Sequence, residues 1–415
     1  MSLNRVVVTG LGALTPIGNN IPKYWDALIN GISGAAPITH FDSSNFKTQF
    51  ACELKNLNLQ DYLDRKEIRK YDNYTSYALI AVAESIKDAG FSLEKIDKKY
   101  AGVIWGSGIG GIKTFSDEIE SFINGNKVPR FSPYFIPKMI ADIASGIISI
   151  KYGFQGPNFA TVSACASASH SIIDAFNYIR LGKANIFICG GSEASVHEAG
   201  VGGFNALKAL STQNESPQKA SRPFDVERNG FVLGEGAGAL VLEEYNHAIN
   251  RGAKIYAEVV GAGMSADAHH ITAPHPEGLG AKNVMQQALL DAKISTNKID
   301  YINVHGTSTP LGDVSEMKAI HSVFQDDIYD LNISSTKSMT GHLLGAAGAI
   351  ESIACILAME HGIVPPTINL ENLDPELDNK VNYTANNMER KNIVYSLCNT
   401  FGFGGHNASI IFKKF

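Results

Sequence analysis

The chain alternates short, continuously apolar runs with longer apolar or amphipathic stretches, a pattern that predicts an α/β protein. Val6-Val7-Val8-Thr9-Gly10-Leu11-Gly12 reads as a strand ending in a glycine turn, and Val103-Ile104-Trp105-Gly106 and Phe187-Ile188-Cys189-Gly190-Gly191 have the same form. Strands apolar at every position are buried on both faces, so the pattern predicts mostly parallel sheets covered by helices on both sides. Two helices are predicted to be wholly buried. One runs over about 166–181, carries Ile172, Ile173, Phe176 and Ile179, and stops at Gly182. The other runs over about 343–361 and ends at Gly362, Pro365 and Pro366. Its opening, Gly345-Ala346-Ala347-Gly348-Ala349, is so small that another backbone is expected to approach closely.

The strand grammar occurs twice, in the same order. The Val6–Gly12 run is echoed by Glu258-Val259-Val260-Gly261-Ala262-Gly263, and Val103–Gly106 by Ile302-Asn303-Val304-His305-Gly306. Thr161-Val162-Ser163-Ala164-Cys165 is echoed by Ile333-Ser334-Ser335-Thr336-Lys337, each leading into a buried helix. Phe187–Gly191 is echoed by Leu397-Cys398-Asn399-Thr400-Phe401-Gly402, and Ala239-Leu240-Val241-Leu242-Glu243-Glu244 by Ala408-Ser409-Ile410-Ile411-Phe412-Lys413-Lys414. Apolar strands followed by glycine are common, so two ordinary α/β domains remain the competing explanation. Five echoes in register favour two related halves, 1–251 and 252–415, meeting where Arg251-Gly252-Ala253 closes a helix begun near Glu244.

Composition narrows the function. With 415 residues, 44% hydrophobic and 18% charged, the chain can bury a large core. A net charge of −6 argues against general nucleic-acid binding, though not against a local basic patch. The five cysteines, Cys52, Cys165, Cys189, Cys355 and Cys398, are odd in number, widely spaced and without a C-x-x-C pair. That argues against a disulfide framework or a zinc site and fits reduced thiols in a cytoplasm. The first strand begins at Arg5, with no basic-then-apolar leader. No apolar stretch is expected to span a bilayer, so the expectation is a soluble protein without membrane insertion.

The candidate chemistry lies at the strand ends. Cys165 follows a strand and precedes a run of small residues, Ala166-Ser167-Ala168-Ser169, so it falls at a strand-to-helix elbow. The start of that helix is expected to favour thiolate over thiol and to offer N–H groups to an oxyanion. Elsewhere a lone cysteine is usually a small core residue, the reading kept for Cys189, Cys355 and Cys398. His305 ends a strand in Val304-His305-Gly306-Thr307-Ser308-Thr309-Pro310, where open α/β sheets place ligand-binding groups. His342, in Thr340-Gly341-His342-Leu343-Leu344, is expected to open the second buried helix with little water, which favours a neutral imidazole. Lys337 is either a solvated strand-end charge or a buried lysine paired with Glu351 on the next helix. Gly402-Phe403-Gly404-Gly405 is a glycine loop that can bring a backbone N–H to a reacting carbonyl, with Phe403 as a movable wall.

Taken together, the segments around Cys165, His305, Lys337 to His342 and Phe403 resemble the Cys–His–His β-ketoacyl-acyl carrier protein synthases, most closely the synthase II branch. The likeness spans essentially the whole chain and includes Ser221-Arg222-Pro223-Phe224-Asp225 and Gly230-Phe231-Val232-Leu233-Gly234-Glu235-Gly236. It implies a thiolase fold, a five-layer αβαβα arrangement of two related halves, and a homodimer. It implies that an acyl chain passes from acyl carrier protein (ACP) to Cys165. Malonyl-ACP then loses CO2, and its carbanion attacks the acyl group, lengthening it by two carbons. His305 and His342 would donate to the malonyl thioester. The N–H groups of Cys165 and Phe403 would form the oxyanion hole, and Lys337 with Glu351 would support the histidines. Thr307 and Thr309 would hold the phosphopantetheine arm, which arrives on ACP, so no separate cofactor and no catalytic metal are implied. Some relatives hold a monovalent cation near Asn303, Glu351 and Asn399. The acyl pocket would include Ile109, Phe135, Ile136 and Phe204, and acidic ACP would dock on Lys66, Arg69, Lys70 and Lys208, for which an ordinary solvated helix face is the competing explanation.

Departures from the family pattern are Ala166 and Ala168, where a hydroxyl residue and a glycine are frequent, and His406, where threonine is. A degradative thiolase would carry a second cysteine in the loop that holds Phe403. An initiating synthase would pair its cysteine with one histidine and one asparagine. The alternatives that remain are a specialised polyketide or polyene ketosynthase and a non-catalytic chain-length-factor-like subunit, though the latter typically lacks the nucleophile present here.

Overall fold

Ten strands form one continuous sheet in a computed structural model that describes residues 3–415. They are β1 (Val6–Leu14), β2 (Ala101–Gly106), β3 (Asn158–Thr161), β4 (Ile186–Glu193) and β5 (Gly236–Glu244), then β6 (Ala257–Ala266), β7 (Tyr301–Asn303), β8 (Asn332–Ser334), β9 (Tyr395–Gly402) and β10 (His406–Lys414). Their spatial order is β8-β7-β9-β10-β6-β1-β5-β4-β2-β3. Read outward from the centre, the first half runs first, fifth, fourth, second, third strand, and the second half does the same. Every sequence echo falls on one such pair. The halves join through a short antiparallel contact in which Val6, Val7 and Val8 face Val259, Glu258 and Ala257.

The sheet is mixed, which corrects the expectation of mostly parallel pairing. β4-β2-β3 and β9-β7-β8 are parallel, whereas β5 runs antiparallel to β1 and β4, and β10 to β6 and β9. The reason is the connections. No helix crosses over between β9 and β10, which turn on the three residues 403–405, so the last strand returns antiparallel. Continuous apolarity reported burial on both faces, not direction.

Helices supply the other layers: α1 (Asn73–Ala89), α2 (Ser167–Arg180), α3 (Leu279–Ala292), α4 (Pro310–Phe324) and α5 (Ala347–His361). α1 covers the outer face of β1, β5 and β4, and α3 that of β6 and β10. α2 and α5 pack against each other between the two halves of the sheet, giving layers α, β, α, β, α. Paired glycines set the outer spacing. A Cβ on Gly10 would lie 2.3 Å from the Ser85 carbonyl oxygen of α1, and one on the echoing Gly261 would lie 2.5 Å from that of Ala288 in α3. Both outer helices therefore rest on bare backbone.

The residues from Leu344 to His361 are apolar and long enough to cross a membrane by composition, which amends the expectation that no such stretch exists. They are the central helix instead, with 89% of that window buried inside the protein. Burial among other helices and sheets accounts for the apolarity.

Candidate active site

The nucleophile candidate sits on a bent elbow. Three residues after β3, Ala164 adopts a left-handed φ of 49°, and Ala164–Ala166 form a single 3-10 turn before α2 begins. A non-glycine residue tolerates that conformation only when its surroundings enforce it. Here the Ser167 hydroxyl does so, accepting from the Ser163 N–H at 2.9 Å and donating to the Ala164 carbonyl at 2.7 Å. Cys165, 7% exposed, thereby faces a cavity of about 600 Å³ shared with His305, His342, Thr307, Phe204 and Phe403.

His305 lies two residues beyond β7. Its N–H and that of Gly306 donate to the two carboxylate oxygens of Glu316 on α4, both at 2.8 Å. His342 does not open a helix, contrary to expectation. Nine residues (335–343) separate β8 from the 3-10 turn Leu344–Ala346 that precedes α5, against two (162–163) in the first half. Within this excursion His342 is extended. Its N–H donates to the Val232 carbonyl at 2.8 Å and its carbonyl accepts from the Gly234 N–H at 2.9 Å. The small residues after it close the helix start and do not include it.

The two imidazoles meet edge to face with centroids 5.3 Å apart, and His342 Nε2 is 3.0 Å from Cys165 Sγ. Burial holds both rings well below the usual imidazole range; the nearby Lys337 charge lowers both further, and His342 also lowers His305. Both rings are therefore neutral near pH 7. Each has a buried Nδ1 with no protein partner.

Burial also pushes the Cys165 thiol up to about 12, outweighing the pull of Lys337 and of the Phe403 N–H. This runs against the direction anticipated from the helix start: dehydration of the charge exceeds what the lysine and the Phe403 N–H return. The resting site thus holds a thiol beside two neutral imidazoles.

Lys337 and Glu351 form a fully buried ion pair. Lys337 begins a one-turn helix, Lys337–Thr340, inside the excursion, and Glu351 projects from α5. Burial raises the Glu351 carboxyl to about 7 despite the lysine. Glu351 Oε2 and Asn303 Oδ1 are each buried without a partner, whereas Asn399 Oδ1 accepts from Ser409 at 2.6 Å. Unpartnered acceptor oxygens are the kind of donor a hard monovalent cation takes.

Of the other candidates, Ile109, Phe204, Lys208, Thr307, Thr309 and Phe403 line the cavity. The Thr307 and Thr309 hydroxyls are 2.9 Å apart. Phe135 and Ile136 do not line this cavity within the single chain. They belong to a helix, Phe135–Met139, lying against another, Ile112–Asn124, outside the sheet core. There Phe135 stacks with Phe131 at 5.4 Å and with Phe115 at 6.3 Å, and Ile136 is 54% exposed. Lys66, Arg69 and Lys70 are exposed on the helix Arg65–Lys70, away from the cavity wall. Ala166 and Ala168 are fully buried, and the extra methyl at 168 is accommodated by bare backbone at Gly106 and Gly191. His406 is exposed and off the cavity wall.

Three acids escaped the sequence reading. Glu316 braces the His305 loop. Asp313, one turn earlier on α4, accepts from the Phe224 and Ser308 N–H groups at 2.9 and 3.1 Å. Glu193, ending β4, accepts from Gly108 at 2.8 Å and Gly345 at 3.1 Å, tying the Ile109 loop to the second elbow. Their signal was available, since acids on the inward face of a helix or at the end of an apolar strand need buried partners.

The comparisons with known proteins agree with this site. Residues 3–248 match the β-ketoacyl synthase N-terminal domain and residues 256–371 the β-ketoacyl synthase C-terminal domain. The chain is 46% identical over 411 residues to a 3-oxoacyl-[acyl-carrier-protein] synthase 2 from Synechocystis, covering 99% of this chain and 98% of that one. It superposes on a β-ketoacyl synthase from Burkholderia phymatum with a TM-score of 0.92 at 35% identity, covering 99% of this chain and 100% of the other. It also superposes on a type II polyketide ketosynthase, solved with its acyl-carrier protein and bound to the hexaketide, with a TM-score of 0.91 at 32% identity over the whole of both chains. With a Cys–His–His cluster on one cavity wall, two family models covering most of its length and full-length relatives of this identity, the chain belongs to the β-ketoacyl synthase family.

Proposed function

We propose that this protein is a 3-oxoacyl-[acyl-carrier-protein] synthase of type 2, condensing an acyl chain with malonyl-ACP. The observation that carries this reading is the meeting of Cys165, His305 and His342 on the wall of one cavity. The nucleophile belongs to the half 1–251 and the histidine pair to the half 252–415.

In the first half-reaction the Cys165 sulfur, 3.0 Å from His342 Nε2, attacks the acyl thioester. The acyl–sulfur bond to the carrier breaks, and the Cys165 proton passes to the departing carrier thiolate. A thiol held near 12 does not ionise in advance, so proton transfer accompanies attack. In the second half-reaction malonyl-ACP loses CO2 and negative charge gathers on its thioester oxygen. Neutral imidazoles of His305 and His342 donate to that oxygen without bringing a competing charge. The carbanion attacks the acyl carbonyl, whose oxyanion the N–H groups of Cys165 and Phe403 receive; the carbon–sulfur bond to Cys165 breaks, and the released thiolate takes a proton from solvent to restore the resting thiol. Each such donor contributes about 3 kcal/mol to the barrier reduction.

Thr307 and Thr309 would hold the pantetheine arm, and no dissociable cofactor enters any step. A monovalent cation between Asn303 and Glu351 would neutralise the buried carboxylate and take no part in bond making. Acidic ACP would dock on Lys66, Arg69, Lys70 and Lys208, in keeping with the structural relative seen with its carrier protein. The exposed ring stack of Phe115, Phe131 and Phe135 supports a homodimer through that face. Ile136, Phe135 and Ile109 would then complete the acyl pocket across the interface. Dimer mass in solution, lost on Phe131→Asp, tests this.

A cytoplasmic location fits five unpaired cysteines. A non-catalytic subunit fits poorly with an intact nucleophile, and a specialised-pathway ketosynthase less well than type 2 relatives of 46% identity. Condensation assays across acyl-ACP lengths test the assignment: extension of long saturated and mono-unsaturated chains supports it, and activity confined to polyene or aromatic starters refutes it.

A further inference from the structure

We propose that Cys165, His305 and His342 also form a binding site for a borderline-soft divalent cation, Zn2+ above all, whose occupancy switches the enzyme off. The cysteine sulfur and one ring nitrogen of each histidine all lie within 4.8 Å of one another. No other group of three His, Cys, Asp or Glu side chains among the described residues gathers its ligand atoms in this way. The three come from separate segments, so no C-x-x-C or H-x-x-x-H spacing announces them.

One thiolate and two imidazoles with a fourth position open to a cavity is the donor set of a zinc site that keeps a water. With Zn–S near 2.3 Å and Zn–N near 2.0 Å, the sulfur-to-nitrogen edge of a tetrahedron is roughly 3.5 Å. The Cys165–His342 edge of 3.0 Å must open by about half an ångström, a movement within side-chain rotation. Soft sulfur with imidazole selects Zn2+ over Mg2+ or Ca2+. The backbones beneath both histidines are already fixed, His305 by Glu316 and His342 by Val232 and Gly234, so little ordering remains to oppose binding. Lys337, close to both rings, limits affinity, although its charge is matched by Glu351.

Binding exchanges one proton for the metal. The S–H bond breaks, a sulfur–metal bond forms, the proton passes to solvent, and the metal keeps its oxidation state. A sulfur so occupied has no free pair with which to attack a thioester, and an acylated sulfur cannot take the metal. Metal and acyl group therefore exclude each other. Metal binding rests on the donor set alone, and only its inhibitory consequence rests on the catalytic reading.

The test is titration of the full-length, chelator-treated protein with Co2+, followed by displacement with Zn2+. Expected are one equivalent of Co2+ giving a near-ultraviolet thiolate-to-metal charge-transfer band, its loss in Cys165→Ser, and affinity weakened about tenfold or more in His305→Gln and in His342→Gln. His270→Gln, on an exposed histidine-rich loop, is expected to leave the band unchanged. Prior loading with acyl-ACP should block the band, and a chelator should restore condensation. Circular dichroism of each variant separates loss of site from loss of fold. No band in folded wild-type protein, or a band that survives Cys165→Ser, overturns the proposal. One-site binding without inhibition upholds the metal site and overturns the catalytic role given to Cys165.

Discussion

Gly345 stands in the second half where Cys165 stands in the first. Each is the middle residue of a 3-10 turn that opens a central helix, and each follows a left-handed non-glycine residue, Ala164 at 49° and Leu344 at 46°. The duplicated elbow has lost its side chain in one copy and kept a nucleophile in the other. The emptied elbow admits the Ile109 loop: a Cβ on Gly345 would lie 2.2 Å from the Gly108 nitrogen and 2.8 Å from Glu193.

Gly345→Ala should therefore do more harm than its single methyl suggests. Backbone, not a flexible side-chain end, stands in the way, so the loop must shift at a cost of about 1–3 kcal/mol. The expected result is a lower unfolding midpoint together with an altered acyl-length profile, because Ile109 moves with the loop. An unchanged profile at reduced stability would confine the role of Gly345 to packing.

Glu316→Gln probes the brace under His305. A carboxylate accepts both the His305 and Gly306 N–H groups, whereas an amide accepts one of them and sets its NH2 against the other. A loss of about 1–3 kcal/mol is expected for the unmatched donor. Malonyl-ACP decarboxylation should fall more than acyl transfer to Cys165, since His342 stays in place. Equal losses in both steps would argue against a specific hold on His305.

The Lys337–Glu351 pair separates stability from chemistry. Lys337→Ala leaves a buried carboxylate without its partner, an expected loss of about 3–5 kcal/mol. Lys337→Met with Glu351→Leu removes both charges and should recover most of that stability. Condensation should remain impaired in the double variant, because burial alone then holds the imidazoles down and the further lowering by the lysine charge is gone. Full activity in the stable double variant would show the pair to be structural only.

Buried acids give the stability a pH signature. Burial raises Glu193 and Glu316 to about 7 and Asp313 to about 6. In each case the folded state binds its proton more tightly than the unfolded chain. The contribution is thus complete below the ordinary carboxylate value and lost as pH rises through about 6 to 7. Denaturant midpoints should fall between about pH 4 and 7, and Glu193→Gln should flatten the slope. A midpoint that rises over this interval would contradict the assignment.

Much of this was legible in the chain because strands and elbows are local. The five echoes mark strand pairs, and the run Ser163 to Ser169 announces a sharp entry into α2. What escaped depends on distant groups. His342 looks like the start of a helix, but Val232 and Gly234 hold it extended, and neither is near it in sequence. The thiol of Cys165 lies beside a helix start, yet its charge is governed by how much of the protein covers it. Phe135 and Ile136 lie outside the cavity of their own chain, Phe135 stacked with Phe115 and Phe131 and Ile136 exposed, a placement that depends on distant packing. Direction of pairing is set by connections, which apolar runs do not encode.

The most direct measurement is a pair of assays on purified Cys165→Ala: transfer of a radiolabelled acyl group from acyl-ACP to the enzyme, and release of CO2 from malonyl-ACP. The expected result is no labelled enzyme and no condensation product, with CO2 release retained because His305 and His342 are intact. Labelled enzyme, or condensation at a rate near that of the unmodified protein, would contradict the account.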